Sequence, residues 1–185
     1  MGGGMADATS CLSPQRLVEV ERAGRLFMDS RTAVWQLSAL RRIGGFDAEL
    51  RWHCDWYAMH TLAFRHGVCF VPEPLAVAHI LRSSFHSVGH KSTEQRRVLA
   101  AVLERLGRAE NRDLAEALRA CGGLYLFGWP MLRLLLARPQ DRRFLTPTFL
   151  RKNLWHFAKL TGKRWLPQFV ATGYLRLAGY RAQPK

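Results

Sequence analysis

Residues 41–74, RRIGGFDAELRWHCDWYAMHTLAFRHGVCFVPEP, contain the turn and helix signals that decide the fold of this chain. A short helix over 38–43 is predicted to end at Gly44-Gly45, because glycine adopts positive φ without steric cost. Asp47 follows one aromatic residue later, so the chain turns sharply and presents a carboxylate beside an aromatic side chain. The order of helix, glycine pair and acid predicts a tight turn that carries an acidic group.

A longer helix is predicted over 54–67, with Asp55 in its first turn and a glycine at its end. An acid at a helix start is favoured by the helix dipole, so this position alone does not indicate catalysis. The β-prone run 68–71 follows and is closed by Pro72, and a second such run begins at Leu75. This part of the chain therefore predicts a helix followed by two strands.

The flanking sequence is mostly helical in pattern. Residues 1–12 are glycine-rich and lack periodicity, which predicts a disordered leader. Ser13-Pro14 is a strong helix start and introduces a helix that ends at Gly24. The stretch 33–35 is predicted to be a buried strand. Further helices are predicted at 92–107, 112–121, 124–137, 146–159 and 165–180.

The composition is 48% hydrophobic and 23% charged, which is typical of globular proteins, and 185 residues suffice for one domain. The formal net charge of +14 predicts affinity for polyanions: nucleic acid, anionic lipid headgroups, or phosphorylated donors and acceptors. The charge alone does not choose among these partners. No recognised nucleic-acid-binding module occurs in the sequence, so specific nucleic-acid binding is the least favoured.

The four cysteines, at positions 11, 54, 69 and 121, form no C-x-x-C pair. Their spacing favours reduced thiols in a cytosolic setting over a disulfide framework or a zinc site. The first residues lack the basic start and apolar stretch of a signal peptide. The most apolar window, 122–137, is too short to span a bilayer and contains Arg133. The expected location is cytoplasmic, with peripheral contact at the inner membrane surface as a further option.

The ordered set of GGFD at 44–47, the acidic-aromatic pair Asp55-Trp56 and FRHGVCFVPEPLA at 64–76 resembles the family 2 glycosyltransferases of the GT-A fold. The resemblance extends over residues 25–87. Complete enzymes of that family have a donor-binding half that ends in an Asp-x-Asp signature. No two of the six aspartates here are two positions apart, so the resemblance is to the C-terminal, acceptor-side part only.

The resemblance implies an α/β fold in three parts. Residues 1–12 would be the disordered leader. Residues 13–91 would form a partial GT-A-like mixed sheet with helices, the C-terminal half of a glycosyltransferase domain. Residues 92–185 would form an all-helical, basic C-terminal extension. Half of a sheet would leave an unpaired edge, which predicts self-association or a second chain.

The resemblance also implies roles for individual residues. Asp55 would be the general base that takes the proton of the acceptor hydroxyl in an inverting transfer, against the alternative of an ordinary helix-start acid. Asp47 would fix the turn by accepting hydrogen bonds from nearby backbone amides, more readily than it would bind the acceptor. Trp52 and Trp56 would shape the acceptor side by stacking on a sugar, with core packing as the alternative for at least one of them.

Two further segments are implied to lie near the substrates. Residues 29–31 would lie near the acceptor cleft, and the loop 83–87 would close over the donor. His79 or His86 would serve as a late metal ligand, and Ser84 would belong to the donor loop. A divalent cation, Mn²⁺ or Mg²⁺, is expected for the complete enzyme. The motifs that would hold it, such as Asp-x-Asp or a Cys/His set, are absent from this sequence, so the cofactor of this chain stays open.

Two functions are compatible with these observations. The first is a truncated family 2-like transferase that moves a sugar from a nucleotide-sugar donor to a glycan or lipid-linked acceptor. The second is a non-catalytic remnant, a basic helical module that binds a membrane or another polyanion. Residues 142–185 contain ten Lys or Arg and no acid, which is compatible with peripheral membrane contact through a basic tail.

Overall fold

The computed structural model describes residues 5–26, 28–73, 75–76, 89 and 93–165, with side chains described to residue 158. Two strands and seven α-helices lie in this part of the chain. They are β1 (Ser10–Leu12), β2 (Val68–Phe70), α1 (Pro14–Arg22), α2 (Leu37–Arg42), α3 (Cys54–His66), α4 (Gln95–Gly107), α5 (Arg112–Cys121), α6 (Gly128–Ala137) and α7 (Pro147–Trp165). Short 3-10 helices lie at Ser30–Thr32, Ala48–His53, Ala109–Asn111, Gly123–Phe127 and Pro139–Phe144.

The described structure is mostly helical with one small antiparallel sheet of two strands, so it fits the expected α/β class only coarsely. The strand predicted from residue 68 is confirmed as β2. The predicted buried strand at 33–35 is wrong, because this stretch pairs with no described strand and Val34 is fully exposed. Leu75 and Ala76 are exposed and not in a strand, and the rest of that predicted strand lies outside the described residues.

The predicted disordered leader is wrong for residues 5–12. β1 pairs antiparallel with β2, so that Ser10 lies opposite Phe70 and Leu12 opposite Val68. Met5 is buried in the hydrophobic core of the protein. Residues of β1 are therefore held by a partner strand 58 positions later. No local pattern in residues 1–12 indicates this pairing.

The expectation of reduced thiols is wrong for two of the four cysteines. Cys11 and Cys69 face each other in the β1–β2 register and are joined by a disulfide. Cys54 and Cys121 are free, and burial raises the pKa of the Cys121 thiol to about 12. The physical reason for the difference is register: the two strands bring the side chains of Cys11 and Cys69 together although no close sequence spacing links them.

One hydrophobic core joins the helices on both sides of the boundary predicted at 91/92. Leu17 of α1 and Phe64 of α3 pack in the same cluster as residues of α4 to α7. The predicted boundary therefore does not separate two cores. Fully buried members of this cluster include Leu50, Leu99, Leu103, Leu106, Leu114, Leu118, Leu124, Met131, Leu135, Phe144 and Phe149.

Local sequence signals start and stop several of these helices. The Ser13 hydroxyl accepts a hydrogen bond from the Arg16 amide at 3.2 Å, and the Thr146 hydroxyl accepts one from the Phe149 amide at 3.2 Å. α5 ends at Gly122 in the left-handed conformation, with φ at +67°. A Cβ at Gly122 would also lie 2.8 Å from the Phe149 backbone nitrogen. The glycine therefore lets the end of α5 approach the start of α7.

A buried ion pair joins α1 to α7. Lys152 Nζ lies 2.9 Å from Glu21 Oε1, also donates to the Glu21 backbone carbonyl, and sits 4.6 Å from the centre of the Tyr125 ring. Glu21 is 2% exposed and Lys152 is 8% exposed. Burial raises the pKa of Glu21, and the ammonium group of Lys152 opposes that rise. The ion pair therefore holds together two residues that are 131 positions apart in the sequence.

Among the described residues, no single helix has both the length and the apolar character needed to cross a bilayer. The segments Ala109–Cys121 and Gly123–Ala137 meet those criteria only when taken together, and they are bent at 76° to each other.

Candidate functional site

The GGFD segment forms a turn directly after α2. Gly44 and Gly45 adopt φ values of +84° and +76°, and no atom lies within 4 Å of a Cβ built on either residue. Their amides donate to the Arg41 and Leu40 carbonyls and so cap the helix. Backbone conformation, and not lack of space, is therefore what requires glycine here, and the turn leaves an open wall beside it.

Asp47 is held on both carboxylate oxygens. Oδ1 accepts a hydrogen bond from the Glu49 amide at 3.0 Å, which starts the 3-10 helix Ala48–His53. Oδ2 accepts one from Arg105 Nε at 2.7 Å, and Arg105 also pairs with Glu49. This placement supports the structural role that the sequence favours for Asp47, and it adds a link from the turn to α4 that the sequence does not indicate.

Asp55 lies in the first turn of α3 and is half-buried. Its Oδ2 accepts a hydrogen bond from the Ser30 hydroxyl at 2.5 Å, and its Oδ1 accepts one from the Trp56 amide at 2.7 Å. The structure thus brings the segment 29–31 to Asp55, while its expected position near an acceptor cleft stays a prediction. One donor on each oxygen orients the carboxylate and leaves each oxygen able to accept a further hydrogen bond.

Both acids act on the side chain of Cys54. Burial raises the pKa of the Cys54 thiol, and the charges of Asp55 and Asp47 raise it further. The 3-10 helix Ala48–His53 connects Asp47 to the start of α3, which carries Asp55.

Trp52 and Trp56 face the protein interior. Trp52 is 7% exposed and donates from Nε1 to Gln95 Oε1 at 2.6 Å. Trp56 stacks on His60 with ring centres 4.3 Å apart and meets the Phe127 ring edge-on at 4.7 Å. These contacts favour the core-packing alternative for Trp52 and place Trp56 against the core below Asp55. Trp56 Nε1 is buried without a hydrogen-bond partner among the described residues.

His60 is a neutral member of this aromatic cluster. Its Nδ1 donates to the Trp56 carbonyl at 2.8 Å, and burial lowers the pKa of its imidazole to about 4. A neutral imidazole inside an aromatic cluster contributes packing, and its side chain is only 4% exposed. His60 is therefore part of the support beneath Asp55 and not a group presented to a ligand.

A cavity of about 480 Å³ opens beside the GGFD turn. Four arginines line it: Arg42, Arg65, Arg105 and Arg108. Gly44, Gly45 and Tyr57 also line the cavity, which we call the arginine pocket. The lining comes from the end of α2 and the turn after it, one face of α3, the end of α4 and the 3-10 helix Ala109–Asn111. The pocket therefore exists only once the three α-helices have packed.

Two of the four guanidinium groups are fixed by the protein. Arg65 donates from Nε to Asp113 at 2.7 Å and from Nη2 to the Glu110 carbonyl at 2.6 Å. Arg105 is held by Asp47, as described above, and by Glu49. The guanidinium groups of Arg42 and Arg108 form no hydrogen bond or ion pair with any described residue, and both residues are exposed at the pocket.

Tyr57 lies between these charges on the wall formed by α3. Burial raises the pKa of its phenol, and Arg65, Arg105 and Arg108 oppose that rise. Its hydroxyl therefore stays protonated at neutral pH and is a potential donor. Within the described part of the chain that hydroxyl has no hydrogen-bond partner, whereas the neighbouring Thr61 hydroxyl donates to the Tyr57 backbone carbonyl.

The remaining predicted site residues, His79, Ser84 and His86, lie outside the described residues together with the whole loop 83–87. The described residues contain no group of three His, Cys, Asp or Glu side chains that could hold a metal ion. The divalent cation expected for a complete glycosyltransferase stays a prediction.

Sequence reasoning missed the arginine pocket entirely. Its four arginines are spread over 67 positions of a chain that contains 28 Lys and Arg, so nothing in the sequence marks them as neighbours. The one available signal is the GGFD turn, which forms a wall of the pocket and contributes Asp47 to its lining.

Comparison with family models, with curated protein sequences and with solved structures finds no match to this chain.

Proposed function

We propose that this chain is the acceptor-side part of a family 2-like, inverting glycosyltransferase with a GT-A-type fold. It would transfer a sugar from a nucleotide-sugar donor to a hydroxyl group of a glycan or lipid-linked acceptor. The observation that carries the proposal is the oriented carboxylate of Asp55, held by Ser30 and separated from the GGFD turn by one short 3-10 helix. An ordinary helix-start acid needs only the helix dipole and has no need of a hydroxyl from a distant segment.

In the proposed reaction Asp55 is the general base. The proton of the acceptor hydroxyl moves to the Asp55 carboxylate as the acceptor oxygen forms its bond to the anomeric carbon of the donor. The bond between that carbon and the donor phosphate breaks, and the nucleoside diphosphate leaves with the electron pair. Ser30 is a positioning residue, because its hydrogen bond fixes the rotamer of Asp55. No step is assigned to a cation, since the described residues contain no group of side chains that could hold one.

Asp55→Asn is expected to lower acceptor-dependent release of nucleoside diphosphate by at least about 100-fold, because an amide cannot take the proton. The assay measures turnover of the purified protein with a panel of nucleotide-sugars and acceptors. Glu116→Gln removes an exposed carboxylate from α5 and is the matched control, with turnover expected to stay unchanged. Measurable turnover of Asp55→Asn that equals that of the control would show that Asp55 is not the base.

Ser30→Ala adds a second readout to this experiment. Loss of the Ser30 hydroxyl removes the hydrogen bond that fixes the rotamer of Asp55, so the carboxylate is no longer held in one orientation. Turnover (kcat) is therefore expected to fall while KM for the acceptor stays nearly unchanged. A fall in kcat that is accompanied by an equal loss of thermal stability would indicate a structural role for Ser30 instead.

A second candidate function is a non-catalytic module that binds anionic membrane surfaces. It is favoured by α7, where Leu150 is 46% exposed and Leu154, one turn later, is 71% exposed, with Arg151 exposed between them. Apolar side chains flanked by cations suit the interface of an anionic bilayer.

Co-sedimentation with vesicles containing phosphatidylserine tests the second candidate. Binding without any nucleotide, steeply reduced by salt and lost in Leu154→Ser, is the expected result if the module binds membranes. Equal sedimentation of Leu154→Ser and the unaltered protein would leave general electrostatic attraction of a chain with net charge +14 as the explanation.

A further inference from the structure

The arginine pocket contains two guanidinium groups that the protein holds in place and two that have no side-chain partner among the described residues. Arg65 and Arg105 are tied to acids and backbone carbonyls, so their guanidinium groups form fixed walls. Arg42 and Arg108 have no such partners within the described part of the chain. Each guanidinium presents a planar fork of N–H donors, a geometry that matches the oxygens of phosphate.

The lining of the pocket is dominated by donors. Four arginines and two acids, Asp47 and Glu110, belong to the lining, so its formal charge is +2. The acids that neutralise Arg65 and Arg105 include Asp113 and Glu49, which lie outside the lining. Asp47 is already occupied by Arg105 and by the Glu49 amide. Anion oxygens can therefore accept from several groups here, while few acceptors remain for a neutral sugar.

We propose that the arginine pocket binds a phosphoryl group. Arg42 and Arg108 each donate a hydrogen bond to its oxygens, and the Tyr57 hydroxyl donates a third. A cavity of about 480 Å³ lies in the size range of small-molecule sites and accommodates a phosphate ester or a diphosphate. Gly44-Gly45 permits close approach, because no side chain projects from that wall. In the proposed glycosyltransferase this ligand is the phosphate of the acceptor, and only that assignment rests on the proposed function.

Titration of the full chain with inorganic pyrophosphate at fixed ionic strength tests the site, with the heat of binding as the readout. Saturable binding is expected, weakened about tenfold by Arg42→Gln and by Arg108→Gln, since each removes a charge-assisted contact. Tyr57→Phe is expected to weaken binding by about threefold, as for one neutral hydrogen bond. Glu110→Gln is expected to strengthen binding, because it removes the exposed negative charge from the lining.

Arg41→Gln is the matched control. It removes the same charge from the same helix, but Arg41 is not part of the pocket lining. Its affinity for pyrophosphate is expected to stay within about twofold of the unaltered protein, because an exposed charge outside the site acts only through screened, long-range attraction. Thermal melts without ligand confirm that each variant is folded. An equal loss in Arg41→Gln and Arg42→Gln would overturn the proposal in favour of diffuse attraction to a basic surface.

Two further arms identify the source of the phosphoryl group. Vesicles containing phosphatidic acid that compete with pyrophosphate would indicate a lipid headgroup, and absence of competition would indicate a soluble phosphate ester. A neutral monosaccharide that binds as tightly as pyrophosphate, with no effect of Arg42→Gln or Arg108→Gln, would overturn the proposal. The titration needs no turnover, so a catalytically silent Asp55→Asn and a failed phosphoryl site are distinguished by separate readouts.

Discussion

Lys152→Met is expected to lower the free energy of unfolding by about 3 to 5 kcal/mol at pH 8. Methionine fills a similar volume against Tyr125 but leaves the Glu21 carboxylate buried without its counter-charge. The protein must then ionise Glu21 in an apolar setting or hold it protonated. Holding it protonated costs about 1.4 kcal/mol for each pH unit above its normal pKa of 4.5, so about 5 kcal/mol is the upper limit at pH 8.

The sign of the pH dependence follows from the same carboxylate. Burial raises the pKa of Glu21 in the folded state, and loss of Lys152 raises it further. A raised folded-state pKa favours folding below the unfolded pKa and disfavours it as pH rises. The destabilisation by Lys152→Met is therefore expected to shrink to about 1 kcal/mol at pH 5, measured by urea unfolding at both pH values.

Two variants control for other effects of the substitution. Arg151→Met removes an exposed neighbouring cation from α7 and is expected to change stability by less than about 0.5 kcal/mol. Glu21→Leu combined with Lys152→Met removes both charges and is expected to recover most of the loss. A Lys152→Met protein that is as stable as Arg151→Met at pH 8 would show that the buried pair does not form.

Cys11→Ser combined with Cys69→Ser is expected to lower the free energy of unfolding by about 2 to 4 kcal/mol. The disulfide closes a loop of 58 residues, and loss of that closure enlarges the unfolded ensemble by an entropy worth about 4 kcal/mol in the chain-entropy account. Both strands have only three residues, so few backbone hydrogen bonds hold them together apart from the covalent link. Guanidinium unfolding with and without a reducing agent measures the change.

The disulfide also predicts how many cysteine thiols of the protein are free to react. In denaturant without reductant, two thiols are expected to react with iodoacetamide, those of Cys54 and Cys121. The serine double variant is expected to show no response of its stability to the reducing agent, which controls for effects on the two free thiols. Four reactive thiols in the unaltered protein, together with stability that ignores the reductant, would contradict the bridge.

Signals confined to a few neighbouring residues were predictable from the sequence. Ser13-Pro14 and Thr146-Pro147 start α1 and α7 as expected, since a hydroxyl followed by proline satisfies the first free amides of a helix. Gly122 ends α5, and Gly44-Gly45 forms the turn after α2. Each of these is a property of local backbone geometry and needs no information about distant residues.

Features that depend on distant residues were not predictable. The strand expected at 33–35 has suitable residues but no partner within the described part of the chain, whereas Ser10–Leu12 is a strand because β2 lies beside it. Glu21 looks like an ordinary charge on an amphipathic helix until Lys152 reaches it. Pairings of this kind depend on how the helices pack, and a single sequence does not encode that packing as a local pattern.

The candidate site divides in the same way. Asp47 and Asp55 could be proposed because a turn motif and a helix start identify them within nine residues. Ser30, which orients Asp55, and Arg105, which holds Asp47, approach from 25 and 58 positions away. The arginine pocket was hidden for the same reason. An abundance of arginine indicates that anions are attracted, and only the packing of three helices shows where they could be held.

The link between α1 and α7 also has a consequence for how this protein is made. A ribosome that adds about 5 to 20 residues per second needs roughly 7 to 26 s to pass from Glu21 to its partner 131 positions later. During that interval the apolar face of α1, with Leu17 and Val20, has no completed core to cover it. The nascent chain therefore exposes the apolar face of α1, the kind of surface that chaperones bind, until the basic helix α7 leaves the exit tunnel.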